Sequence, residues 1–395
     1  MNRICFHFQI SQPYRLRTYR FFDINRSHDY FDDYQNQYLT RRLAERCYLP
    51  ANKMMLELIK KHPGKFKLSF SIAGSSIMLF KNYCPEVIES FRELIGTGCV
   101  EITGNTYTHS IASLYGKEPF MEQVRLQEML LDETFGVRPI SFCNTEIIYS
   151  DEIGEWLGDA GYRVALTEGA RHILGWKSPF YLYCNPYQTD LRLLLRPYRI
   201  CDDITLRFQD KSWDQYPLTA EKYIHFLNNC NHGGEAPLIN LFWDYETIGE
   251  HYTEDTGIFD FFRALVDRLS QNPDYSFITP QEVLDLDLAA STMHAPWPIS
   301  CSGEEKDTNE WIGNELQQEA FQQLFKLQDL YKRSTNAEAK QCWLRLQAAD
   351  HFNFMSSKWF GHRFVKRNFE VYPSPYQAFI NYMNVLNDVK LQLEE

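Results

Sequence analysis

The chain has 395 residues, 44% of them hydrophobic, and carries 40 Lys and Arg against 52 Asp and Glu, a formal net charge of −12. That length predicts one catalytic-size unit with a smaller appendage. The acidic balance argues against nucleic acid or an anionic membrane as partner, because phosphates demand a basic footprint. No run of about 18 apolar residues is present to span a bilayer. The N-terminus meets Gln9, Ser11 and Pro13 too early for a secretory leader, so a cytoplasmic address is expected. The 10 cysteines stand singly with no CxxC pair, which favours buried free thiols over zinc, redox or disulfide roles. Aromatic residues make up 15% of the chain. Much of that belongs in a core, and in an acidic protein it also suits a sugar, whose C–H faces stack on rings.

In chain order, residues 3–8 (RICFHF) read as a strand ending in the polar loop 9–13. A helix over 49–61 stops at Pro63-Gly64. It is followed by a strand at 66–72, a helix at 85–95 closed by Gly96, and a strand at 99–103. A helix over 118–135 ends at Gly136, and the strand 139–143 leads to Glu146. Ser150 reads as the N-cap of a helix that stops at Gly161, ahead of a strand at 163–166. Residues 181–208 read as extended or hairpin-like. Alternation then resumes with a helix at 220–230, a strand at 238–242, a helix at 257–270 and a strand at 275–278. Repeated βα units imply a parallel sheet, barrel or doubly wound. No Gly-rich phosphate fingerprint follows the first strand, so the barrel is favoured. Composition shifts near Leu286, and Ala295-Pro296-Trp297-Pro298 marks a crossing into the helical segments 309–331, 337–349 and 376–393. The expected division is a barrel over 1–290 and a helical domain over 291–395.

In a barrel the chemistry sits where strands end, in the βα loops. The polar residues there are Gln9, Ser11 and Gln12; Asn105 and His109; Asn144, Thr145 and Glu146; and Trp243, Asp244, Tyr245 and Glu246. Glu101 sits within its strand. Glu146 and Asp244 each follow an apolar strand. A carboxylate pair across a sugar-sized cleft is what glycosidic cleavage needs, and apolar neighbours raise one pKa so that it can act as the acid. Spacing alone leaves two readings open, because such a carboxylate can equally cap the next helix or pair with an Arg.

The strings FHFQISQPYR, GCVEITGNTYTHS, CNTEIIYSDEI, LFWDYETIGEHY and QAADHFNFMSSKW occur in this order. They resemble the five sequence regions of glycoside hydrolase family 57, in particular its α-amylase-type members. Residues 311–314 and 375–386 also resemble that group, so the similarity covers nearly the whole chain. The resemblance implies an incomplete TIM-like (β/α)7 barrel followed by a C-terminal α-helical domain. It also implies α-1,4-glucan or maltooligosaccharide substrates, a retaining mechanism and no metal or other cofactor. Matched by position, Glu146 is the family's nucleophile and Asp244 its general acid/base. Glu101, His109, Asp350 and Trp213 fall at or near sugar subsites, and Gln9, Trp243 and His251 lie beside the same regions.

Bland alternatives accompany these assignments. Glu101 reads equally as a buried, Arg-paired strand residue, and His109 as a satisfied structural histidine. Trp213, in a polar run, is harder to explain as core. Asp350-His351 reads as a helix end, Glu246 and Glu250 as helix-start charges, and His251 as a support for the Asp244 loop. One departure stands out: Ser11-Gln12-Pro13 replaces the family's His-Gln-Pro, which costs reach and the chance of positive charge. His7, on the same strand face, reads either as a partial replacement for that imidazole or as a barrel-core residue. The segment after Trp359 is unexpectedly basic. A 4-α-glucanotransferase or branching enzyme on the same scaffold, and a weakly active or non-catalytic glucan-binding homologue, are the rival readings. A metal-dependent deacetylase or mannosidase site fits poorly, since Gln9 and Ser11 stand where Asp or His ligands are wanted.

Overall fold

The computed structural model describes residues 1–230, 238–358 and 372–395. Its organising element is the first strand, β1 (Asn2–Ile10), buried along nearly its whole length. A strand covered on both faces reads as an almost unbroken apolar run. Alternate residues then sort to opposite sides. Ile4, Phe6, Phe8 and Ile10 join the outer core under the helices, whereas Cys5 joins the cluster inside the sheet.

On one side β1 pairs in parallel with β2 (Leu68–Ile72), which pairs with β3 (Val100–Ile102). A bridge through Gly104 carries the ring to β4 (Ser141–Cys143): Gly104 N–H donates to Ser141 O at 2.8 Å, and Cys143 N–H to Gly104 O at 2.9 Å. Glycine is required there because a Cβ would stand 2.6 Å from the Tyr162 hydroxyl. Next come β5 (Val164–Glu168), then β6 (Tyr183–Cys184) and β7 (Arg192–Arg196). β5 pairs with β7 in parallel, and β6 pairs with β7 antiparallel as a short hairpin on the outer edge. From β7 to β8 (Leu238–Asp244) side chains bridge the two strands. Asn240 Nδ2 donates to Leu195 O at 3.1 Å, and Arg196 Nε to Phe242 O at 3.1 Å. β8 returns to β1 over seven residue pairs, from Arg3↔Leu238 to Gln9↔Asp244. The ring is therefore β1-β2-β3-β4-β5-β7-β8, the incomplete (β/α)7 barrel expected. β9 (Tyr275–Phe277) pairs with the lower end of β1, below the reach of β2.

The interior is packed with Cys5, Cys143, Val164, Leu166, Leu194, Leu238 and Phe242, closed below by Ile278 and Val283. Much of the aromatic content lies outside this layer. Phe6, Phe8, Trp243 and Phe262 meet at centroid distances between 5.2 and 6.4 Å, several of them edge to face, geometry that aromatic quadrupoles favour.

Residues beyond 290 stay on the barrel at first: β10 (Ser291–Thr292) pairs with β6, and Ile299 bridges Tyr149. Helices begin at Asn309. The expected 309–331 helix is broken into Asn309–Ile312, Glu315–Phe325 and Gln328–Arg333. Asn314 makes the second start, its side chain accepting from Gln317 N–H while Gln317 reaches back. These helices pack with Ala337–Arg345 and Pro375–Glu394. They share one apolar cluster, with Trp311, Trp343 and Tyr382, that also takes in Phe120 and Trp156 from the barrel helices. The helical region docks on the loop after β3, where Ala349 N–H donates to His109 O at 2.9 Å. No described helix is long and apolar enough to cross a membrane. Most of the basic segment after Trp359 lies outside the described residues.

Candidate active site

Three backbone features shape the mouth of the barrel. After β4 the chain makes a single tight turn at Asn144–Ile148. Asn144 Oδ1 accepts from Thr145 N–H at 2.9 Å, and its Nδ2 donates to Ile148 O at 2.9 Å. Glu146 and Ile147 are left at φ 51° and 47°. After β3, His109 sits at φ 54°, and across the mouth Lys306 does too. Side chains pay a steric penalty in this left-handed region, and such strain gathers where a functional geometry is imposed from outside. Four of the five described non-glycine residues with positive φ meet here.

Glu146 and Asp244 face one hollow at the C-terminal end of the barrel. Gln9 ties the two positions together. It lies in register with Asp244, and its Nε2 donates to Asn144 O at 3.2 Å, two residues before Glu146. The thiols of Cys143 below and Cys301 beside the hollow both feel the two carboxylates, and burial pushes both up; Cys143 reaches about 12. The Glu146 carboxylate is held on two sides. His109 Nε2 lies 3.3 Å from Oε1, and the Cys301 thiol donates to Oε2 at 3.4 Å.

Arg196 ends β7 and forms part of the wall. Its guanidinium donates to Phe242 O, to Glu168 Oε2 at 3.1 Å and to Asp202 Oδ1 at 2.6 Å, all buried. Lys306 Nζ adds a second cation 3.9 Å from Asp202 Oδ2. A desolvated charge persists only when paired in this way.

His7 forms part of the floor, one layer beneath Asp244. Its Nδ1 lies 2.9 Å from Ser69 Oγ, whose own hydrogen is directed to Phe6 O at 3.1 Å. His7 therefore donates from Nδ1 and presents Nε2 as a bare acceptor. Burial lowers its pKa to about 3, so the ring is neutral.

Of the other sequence-derived candidates, Gln9 lines the hollow, and His109 contacts it through Glu146. Trp243 borders it only by strand position: its indole donates to Cys201 O at 3.2 Å and packs in the outer aromatic core, because alternation turns it away from its inward neighbours Phe242 and Asp244. Glu101 points to the barrel floor, where its Oε2 accepts from Gln281 N–H at 2.8 Å; it is a buried strand residue held by backbone rather than by an Arg. Burial raises it to about 7. Trp213 is half-buried on the helical layer, beside Phe226 and with the Arg207 guanidinium 5.8 Å from its ring. Ser11 is half-buried one residue beyond β1. His251 is half-buried in the loop after Asp244, its N–H donating to Glu246 O at 2.8 Å.

Asp350 opens the short helix Ala349–Asn353 instead of closing the previous one, since that helix ends at Arg345 and Ala348 is extended. Its charge faces the buried Arg15, which burial lowers to about 10. Glu246 and Glu250 are likewise buried partners and not solvated helix-start charges. Tyr48 OH donates to Glu246 at 2.6 Å, Gln12 Nε2 at 3.2 Å, and Arg42 pairs with Glu250 at 2.6 Å. Arg196, Cys143, Phe242 and Cys301 escaped the sequence reading. Arg196 had a signal, a charge closing the apolar run Arg192–Arg196, but Cys301 had none.

A carboxylate pair facing one hollow, with a bare imidazole nitrogen and a side-chain amide beside it, is equipment for general acid/base and nucleophilic work on a polyhydroxylated ligand. Comparison with known proteins agrees with that class. The glycosyl hydrolase family 57 model matches residues 5–297. A Methanocaldococcus jannaschii protein that carries an α-amylase name is 34% identical over 99% of this chain and 85% of its own. Three solved structures share the fold at 14% identity. The branching enzyme of Pyrococcus horikoshii has TM-score 0.69, over 98% of this chain and 88% of that one. The α-amylase AmyC of Thermotoga maritima has TM-score 0.65, over 98% and 92%. The 4-α-glucanotransferase of Thermococcus litoralis has TM-score 0.67, over 89% of this chain and 56% of that one. The chain therefore belongs to glycosyl hydrolase family 57 and is a glycoside hydrolase.

Proposed function

We propose that the protein is a retaining α-glucan hydrolase of α-amylase type, with Glu146 as nucleophile and Asp244 as general acid/base. The observation that carries this reading is the shared hollow, with Gln9 linking the two strand ends. The α-amylase name of the Methanocaldococcus jannaschii relative supports α-1,4-glucan as substrate. In the first step Asp244 gives its proton to the glycosidic oxygen as Glu146 attacks C1, so the C1–O bond breaks and a glycosyl ester forms. In the second step Asp244 takes a proton from water while that water attacks C1 and frees Glu146. Two inversions leave the α configuration unchanged, and the cycle requires carboxyl groups about 5–5.5 Å apart. The pinned orientation of Glu146 suits in-line attack. The bare Nε2 of His7 and the amide of Gln9 are suited to bind substrate hydroxyls or the attacking water.

The test is the product profile from maltoheptaose, with the anomeric form of new reducing ends followed by NMR. Only shorter sugars, released as α anomers, are expected, and Glu146→Gln abolishes their formation. Longer products would make the protein a glucanotransferase, and new α-1,6 linkages a branching enzyme. Activity unchanged in Glu146→Gln would overturn the mechanism.

A further inference from the structure

Residues 300–306 run beside the hollow, which Cys301 lines, and bond to one another. Ser300 N–H donates to Lys306 O at 3.1 Å, and Ser302 N–H to Ser300 Oγ at 3.0 Å. Lys306 Nζ donates to Cys301 O at 3.0 Å and stands 4.8 Å above the Tyr198 ring. The result is a fixed approach to Glu146 at two points. Cys301 N–H donates to Glu146 O at 3.2 Å, and its thiol to Glu146 Oε2 at 3.4 Å. Glu146 occupies the left-handed backbone region, which its own side chain opposes, so an outside clamp is needed to keep it there.

We infer that Cys301 is a positioning residue for Glu146, gripping the backbone and one carboxylate oxygen from the segment between barrel and helices while His109 holds the other oxygen. The inference rests on Glu146 being the nucleophile. A thiol suits the task. Burial and the neighbouring Glu146 push it well above its usual range, so it stays protonated and donates. S–H is also a weaker donor than a hydroxyl, so it orients the carboxylate while drawing less of its basicity than a hydroxyl would. The other groups around Glu146 are His109 after β3, Cys143 on β4, His7 and Gln9 on β1, and Asp244 on β8. Behind them lie Arg196 on β7 and Glu168 on β5, and Lys306 is turned toward Asp202.

The test compares wild type, Cys301→Ala, Cys301→Ser and Glu146→Gln on maltoheptaose, recording kcat, KM and the acid limb of kcat/KM against pH. Cys301→Ala loses a donor to a charged group, so kcat is expected to fall about tenfold or more with KM within about twofold. Its acid limb moves to higher pH. Cys301→Ser recovers most of kcat, and its acid limb moves below that of wild type, because O–H donates more strongly. Wild-type kcat and an unmoved acid limb in Cys301→Ala would overturn the inference. So would a lowered melting temperature with no shift of the acid limb in either variant. Activity surviving in Glu146→Gln would instead remove the nucleophile assignment, whatever the cysteine variants show.

Discussion

Gly249→Ala is the sharpest single probe of how the loop after Asp244, the proposed acid/base, is held. Gly249 lies five residues past Asp244 with φ +105°, and its N–H donates to Tyr252 O at 2.9 Å. A Cβ there would stand 2.1 Å from Arg46 O and 3.0 Å from Cys47 Cα, both backbone atoms that cannot rotate aside. Two costs add. An L side chain at positive φ loses about 1–2 kcal/mol, and relieving the contact demands that the loop retreat by roughly 1 Å in a close-packed region. The loop is tied to the stretch 42–48 by Tyr48 to Glu246, Arg42 to Glu250 and the Cys47 thiol to Tyr245 O at 3.4 Å, so a retreat strains all three. A displacement near 1 Å at a catalytic group costs about a hundredfold in rate.

The expected result is a fall of about two orders of magnitude in kcat/KM on maltoheptaose and a stability loss of about 2–4 kcal/mol. Unfolding entropy near 2 cal/mol/K per residue makes that only a few degrees in melting temperature for a chain this long. Gly64→Ala is the control. It has φ +69° but open space around the added methyl, so it pays the backbone cost alone and keeps full activity. Initial rates and calorimetry on both variants decide. If Gly249→Ala retains kcat/KM within twofold of wild type and melts with Gly64→Ala, the clash does not set the loop.

Arg196→Met leaves Glu168 and Asp202 buried without their guanidinium, and should cost about 3–5 kcal/mol in thermal unfolding; adding Glu168→Gln and Asp202→Asn should restore part of it. Burial and the nearby Asp244 raise Glu246 to about 7, so the folded chain favours its protonated form. The stability this confers is complete below about pH 4.5 and is lost as pH rises through 7, an effect of about 3 kcal/mol. Glu246→Gln should therefore gain by that amount on wild type between pH 4.5 and pH 8, and parallel melting curves at the two pH values would contradict it. Burial lowers His7 and His351 to about 3 and about 4, which gives the opposite sign. Their contribution is complete above pH 6.5 and is lost toward pH 4 and below, and His351→Gln should flatten the acid side of a melting-temperature profile. Trp213→Ala should leave KM for maltoheptaose within twofold and lower the melting temperature, because the indole packs on Phe226; a rise in KM of tenfold would return it to the sugar path.

Local pattern carried much of the architecture. The helix expected over 49–61 is Leu49–Lys61, with the Pro63-Gly64 stop in place, and Ser150 does cap its helix by accepting from Ile153 N–H. Capping and apolar periodicity act over one or two turns, so the sequence displays them directly. Helices over Asp33–Leu43 and Gly74–Tyr83 escaped, one mostly polar with only Leu39 and Leu43 as aliphatic anchors and the other opening on Gly-Ser-Ser, where propensity favours a loop and tertiary packing overrides it. Tyr198–Thr205, inside the stretch read as extended, forms for the same reason.

The sequence by itself determined that two carboxylates follow apolar strands at barrel ends, because strand alternation and strand-end position are written locally. Which side chains stand around them was decided only when the ring closed. Gln9 reaches Asn144 across 135 positions, and Cys301 reaches Glu146 across 155. The closure also sent Glu101 to the floor and the Trp243 indole to the outer core. Hydrogen bonds and burial depend on distance in space, and separation along the chain carries no trace of that distance until β1 has paired with β2 and β8.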